Sequence, residues 1–116
     1  MTLSEQRILF SQLISELVLW VGSNLPKHAL AFDQVKRDTA TAQANADAGT
    51  GIANSLHLSG LAADMILYVD GAYRADTESY RTIGLHWKSM HPLNRWGGDF
   101  TRPDGNHFSS TRGGVS

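Results

Sequence analysis

The sequence predicts an α+β fold, a small antiparallel sheet packed against two main helices, and three features carry that expectation. Two stretches, Phe10 to Val21 and Tyr80 to Met90, repeat apolar residues at intervals of three and four, as helices with one buried face do. Between them Leu61 to Val69 is a compact apolar run of strand length, closed by the turn pair Asp70-Gly71. At 116 residues the chain is expected to form one domain, residues 1–116, because two cores would leave each half too small to bury much surface.

The first helix is expected to begin near Ser4 and Glu5 and to carry Phe10, Leu13, Ile14, Leu17, Val18 and Val21 on one face. Gly22 and the stretch Asn24 to Pro26 end it. Ala29 to Arg37 reads as a strand with Leu30 and Phe32 on one face, although Ala31 and Val35 make the alternation imperfect. Asp38 to Asn54, rich in Ala, Thr, Asn and Gly, supplies little apolar surface and reads as a helical turn plus a loop close to a site. After the strand Leu61 to Val69, Asp76 or Thr77 caps a second helix that Pro92 stops. Trp96 to Phe100 and His107 to Phe108 read as hairpin arms joined by a loop containing Pro103, Asp104 and Gly105. The Gly-rich ending, Arg112 to Ser116, is expected to fray.

A formal net charge of -1 provides no field for nucleic acid or anionic lipid, so no nucleic-acid partner is expected. No apolar stretch reaches the roughly 20 residues of a membrane span, so no membrane insertion is expected either. With no cysteine in the chain, a metal would have to be held by nitrogen and oxygen. The apolar stretch Ile8 to Val21 contains Glu16 and follows Glu5, which suits a mature helix better than a secretion signal.

Asp64 is the anomaly of the chain, because a carboxylate inside an apolar strand costs several kcal/mol, on the order of 3 to 5, unless a cation or donors meet it. Seven residues earlier His57 precedes the small pair Ser59 and Gly60, so a turn entering the strand can aim imidazole and carboxylate at one point. A catalytic zinc takes three protein ligands and keeps one position open, and Asp104-Gly105-Asn106-His107 offers a third ligand in His107. Asp104, three residues before it, offers a carboxylate to take a proton from water. The plainer readings stand beside this one: Asp64 in an ion pair with Arg37 or Arg95, His57 on a surface loop, and Asp104 bonding its own loop backbone.

Ser55-Leu56-His57-Leu58-Ser59-Gly60-Leu61-Ala62-Ala63-Asp64 resembles the Ser-x-His-x-x-Gly-x-Ala-x-Asp signature of the zinc D-Ala-D-Ala carboxypeptidase family, which includes L-alanyl-D-glutamate endopeptidases of phage endolysins. Trp96-Gly97-Gly98-Asp99-Phe100 with Asp104-Gly105-Asn106-His107-Phe108 resembles that family's second half, and Arg37 with Gln43 its upstream Arg-and-Gln segment, though more loosely. The resemblance implies a zinc ion (Zn2+) held by His57, Asp64 and His107, with Asp104 as general base. It further implies that Arg37 faces substrate and the developing oxyanion, and that Ser55 hydrogen-bonds substrate. An Asp at position 104, where many carboxypeptidase relatives have Glu, is compatible with the phage-type endopeptidases and tilts the expected substrate towards theirs, within peptidoglycan stem peptides.

His28, His86 and His91 read as structural or exposed, since a spacing of five does not bring His86 and His91 onto one helical face. The expected function is therefore amide hydrolysis in a peptidoglycan stem by a monomeric phage or prophage lysin. Such a lysin accumulates in the host cytoplasm and reaches the periplasm on lysis. A D-Ala-D-Ala carboxypeptidase or dipeptidase shares the same centre, and a peptidoglycan-binding or phage structural domain without catalysis is the non-enzyme alternative.

Overall fold

A computed structural model describes residues 1–34 and 56–116, apart from the side chains of Gln34, His57 and Leu58. Helix α1, Leu3–Asn24, opens on a capping box in which the Thr2 hydroxyl accepts from Glu5 N–H at 3.1 Å while Glu5 accepts from Thr2 N–H at 2.8 Å. The cap is thus Thr2 rather than Ser4, because Thr2 stands three residues before a carboxylate that can reach back. Phe10, Ile14, Leu17 and Val21 bury the expected face, and the helix runs on past Gly22 to end at Leu25.

Strand β1, His28–Gln34, follows a turn in which Lys27 takes a positive φ of 62°. It starts one residue before the expected Ala29, and residues 35–37 and the expected loop Asp38 to Asn54 lie outside the described residues. A one-turn helix, α2 (Leu56–Ser59), leads through Gly60 at φ 74° into β2, Ala62–Val69. That φ favours glycine, which lets the chain turn sharply between helix and strand. Asp70 and Gly71, at φ 54° and 78°, form the tight two-residue turn into β3, Ala72–Arg74, a strand the sequence reading did not include.

Asp76 accepts from Ser79 N–H at 3.0 Å and caps a 3-10 turn, Thr77–Tyr80, that continues into helix α3, Arg81–Met90. Strand β4, Asn94–Trp96, is followed by a second 3-10 turn, Gly97–Asp99, and strand β5, His107–Ser110, completes the sheet. The expected hairpin does pair, with Trp96 opposite Phe108, but its first arm lies at 94–96 and ends where glycine begins. Gly97 and Gly98 turn the chain away because each packs against its surroundings more closely than a strand residue with a side chain can.

The sheet order is β1-β2-β5-β4, with β3 also on β2, and every pairing is antiparallel. Residues opposite one another share a face and alternate along each strand. Ala63, Met65, Leu67, Trp96 and Phe108 therefore point towards the helices, where Phe108 meets Trp87 edge-on at 6.1 Å and Phe10 meets Trp87 in turn at 5.8 Å. Tyr80 and Trp87 are core residues, as their spacing indicates, and Trp96 joins them. The opposite face carries Asp64, His107, Ser109 and Arg95.

The ending at Arg112–Ser116 is tied down rather than frayed. Arg112 and Val115 form a bridge, and the Arg112 guanidinium donates to Gln6 Oε1 at 3.0 Å. Gln6 itself is buried and donates to Ser110 Oγ at 2.8 Å and to the Thr111 carbonyl at 2.9 Å. A polar residue on the first helix thus supplies the anchor that the glycine-rich composition concealed. No described helix is long and apolar enough to cross a membrane.

Candidate metal centre

Strands β2 and β5 bring the central pair together, since Asp64 stands directly opposite His107 in the register. Asp64 Oδ1 lies 3.7 Å from His107 Nδ1, with the two side chains 19% and 9% exposed. Two ligand atoms each about 2.1 Å from one ion are at most ~4.2 Å apart, so that separation fits a shared cation. Asp104 joins them: one donor atom from each of Asp64, Asp104 and His107 lies within 4.8 Å of the others. Two carboxylates and an imidazole form an oxygen and nitrogen set that suits a divalent metal.

The loop carrying Asp104 is fixed by its backbone and by one indole. Asp104 N–H and Phe100 N–H both donate to the Gly97 carbonyl, at 2.9 and 3.1 Å, and His107 N–H donates to the Asp104 carbonyl at 3.0 Å. Asn106 accepts from Met65 N–H at 2.9 Å, which locks the loop end against β2 one residue from Asp64. Trp96 Nε1 donates to the Gly105 carbonyl at 2.7 Å. The Trp96 ring lies so close to Gly84 and Gly98 that a Cβ on either would come within 2.2 Å of it, and the Arg81 guanidinium stacks 5.5 Å from its centroid. At Gly97 a Cβ would meet the Asp104 carbonyl oxygen at 2.1 Å and the His107 Cβ at 2.7 Å. The Phe100 ring leans on the imidazole of His107, centroids 5.2 Å apart.

The D-alanyl-D-alanine carboxypeptidase family model matches residues 48–110, more than half of the chain and all of the segment from α2 to β5. The chain belongs to this family. It is therefore placed among peptidases, which are hydrolases. Among solved structures it is similar to the Serratia marcescens L-Ala D-Glu endopeptidase ChiX, at 25% identity and a TM-score of 0.66, over 72% of this chain and 67% of that one. A search of curated proteins finds no match.

Three of the residues singled out in the sequence, Asp64, Asp104 and His107, come together. His57 stands on the backbone of α2, a helical turn that leads into β2, and its side chain lies outside the described residues. The end of that turn is held by Arg7 of α1, whose Nε donates to the Ser59 carbonyl. Arg37, Gln43 and Ser55 lie outside the described residues. Arg95 forms no ion pair among the described residues, so it is not the partner of Asp64 that the plainer reading offered; its Nε donates to Ser116 Oγ at 3.3 Å. His28 meets the Pro26 carbonyl, His91 accepts from Leu93 N–H, and His86 stacks on Trp20 at 3.8 Å, which gives each a local structural role.

The sequence reading did not assign the positioning work of Trp96, Gly97 and Phe100. The Trp96-Gly97-Gly98 run was the available signal, since paired glycines beside a tryptophan indicate a ring packed against backbone.

Proposed function

We propose that the protein is a zinc-dependent peptidoglycan peptidase, an L-alanyl-D-glutamate endopeptidase of the phage-endolysin kind, that hydrolyses an amide in the peptide stem. The observation that carries the proposal is the rung formed by Asp64 and His107 with the Asp104 carboxylate beside it. Asp64 and His107 would hold the ion, and His57 is the third ligand by the family signature. Zinc, when bound, supplies a Lewis acid for the carbonyl and lowers the pKa of water towards neutrality.

Asp104 accepts a proton from the attacking water as its oxygen forms a bond to the amide carbon. It then delivers that proton to the leaving nitrogen as the carbon–nitrogen bond breaks, leaving a carboxylate and an amine. An exposed carboxylate at the mouth of the site, on a loop fixed at both ends, can serve both transfers without moving far. Arg37 steadies the developing oxyanion and Ser55 hydrogen-bonds the substrate, roles that rest on the sequence resemblance. The similarity to an L-Ala D-Glu endopeptidase supports the choice of scissile bond.

A second reading, D-Ala-D-Ala carboxypeptidase, is favoured by the description of the matching family. Product analysis separates the two. Purified peptidoglycan incubated with the zinc-loaded protein should yield a new amino terminus on D-Glu, whereas release of free D-Ala would establish carboxypeptidase activity instead. A purely binding domain predicts neither product.

A further inference from the structure

We propose that Arg95 forms a carboxylate-binding subsite beside the reacting centre and selects peptides with a free carboxylate near the scissile amide. The inference rests on the peptidase reading and adds a specificity residue to it. Arg95 is opposite Ser109 on β5, and Ser109 is opposite Ala62 on β2, so all three share the sheet face that carries Asp64 and His107. One strand across and two residues along places the Arg95 backbone roughly 8 Å from that of His107. The long arginine stem covers much of that separation, so a carboxylate on a residue flanking the cleaved amide comes within reach of the guanidinium.

A cleft of about 340 Å³ opens beside Arg95. Arg95 and Phe100 line it, and the Phe100 ring also contacts the imidazole of His107, so the cleft adjoins the metal centre across a single ring. Its acidic residue, Asp99, is already engaged by Lys88 at 2.8 Å. Arg95, by contrast, is exposed and meets only a serine hydroxyl, so its charge has no carboxylate counterpart among the described residues. A planar guanidinium whose two terminal amino groups carry no hydrogen bond among the described residues matches a carboxylate in a bidentate manner.

Binding separates this subsite from catalysis. Zinc-loaded protein with Asp104→Asn, which stops turnover under the proposed mechanism, is titrated with the peptide L-Ala-γ-D-Glu-L-Lys whose glutamate α-carboxylate is either free or converted to the carboxamide. The free acid should bind about tenfold tighter than the amide, and adding Arg95→Gln should abolish that preference while leaving affinity for the amide unchanged. Arg95→Lys should restore part of the preference, having the charge without the fork. Equal binding of the two peptides to the parent, a preference that survives Arg95→Gln, or an equal loss for both peptides would overturn the proposal. Cleavage is scored separately with Asp104 intact: a retained carboxylate preference without cleavage removes the peptidase and keeps the subsite, and cleavage without the preference does the reverse.

Discussion

Asp104 and Asp64 are carboxylates of one cluster, yet the backbone gives them different settings. Asp64 is set in the middle of β2 and faces His107, whereas Asp104 is exposed at the end of a loop. In the proposed mechanism that contrast separates holding an ion from moving a proton. Replacing Asp104 with Asn keeps its size and removes its basicity, so zinc content should be retained while turnover falls by about 10² to 10⁴, measured by metal analysis and peptide release on one preparation. Gly97 tests the scaffold of the same pair. A Cβ there meets a backbone carbonyl and cannot be accommodated by rotating a flexible side chain, so Gly97→Ala should cost about 1–3 kcal/mol on denaturant unfolding. It should also slow hydrolysis by about 100-fold, since an ångström of misplacement at Asp104 and His107 suffices for that. Asp64 was legible in the sequence because a charge within an apolar strand calls for a partner. The demand on Gly97 arises only when residues 97, 104 and 107 fold onto one another, and no local pattern announces that.

Elements are held at their ends here, and the ends titrate. The Ser79 hydroxyl and backbone N–H hold the Asp76 carboxyl below its ordinary value, and Thr2 does the same for Glu5, through its backbone first and its side chain second. The folded chain therefore binds fewer protons than the unfolded one just below the usual carboxylate range. Stability from both caps is complete above that range and is lost as pH falls through the lowered values. Thr2→Ala should lower stability by about 1 kcal/mol at neutral pH and raise the Glu5 titration, followed by NMR, only part of the way, because the Thr2 backbone N–H still donates to it. Tyr80 sets the opposite limit. Burial raises its phenol above the ordinary value, while its hydroxyl accepts from Leu67 N–H at 3.0 Å and reaches the Arg74 carbonyl at 3.2 Å. Above pH about 10 the unfolded chain releases a proton that the folded chain retains, so stability should decline with rising pH, and Tyr80→Phe should flatten that alkaline slope in urea titrations. Both helices were readable from their apolar spacing. The capping box was present as Thr2 and Glu5 but lay two residues ahead of the cap that the apolar series suggested.

At the level of the whole molecule, two helices cover one face of an antiparallel sheet and leave the other face to the site. That division was visible in the sequence, since the core positions of Leu61, Ala63, Met65 and Leu67 alternate with Asp64. The order of strands was not, because β5 enters between β2 and β4 and only long-range pairing brings His107 opposite Asp64. Tethering of the tail was hidden for a similar reason: the anchor, Gln6, lies more than a hundred residues away from Ser110 and Thr111. The Asp64 and His107 rung is the proposed seat of the catalytic ion. Metal analysis of the purified protein beside His107→Ala and Asp104→Asn variants tests this most directly. Stoichiometric zinc in the parent and in Asp104→Asn, with its loss in His107→Ala, is the predicted result; a parent that takes up no zinc, or a His107→Ala variant that keeps it in full, would contradict the account.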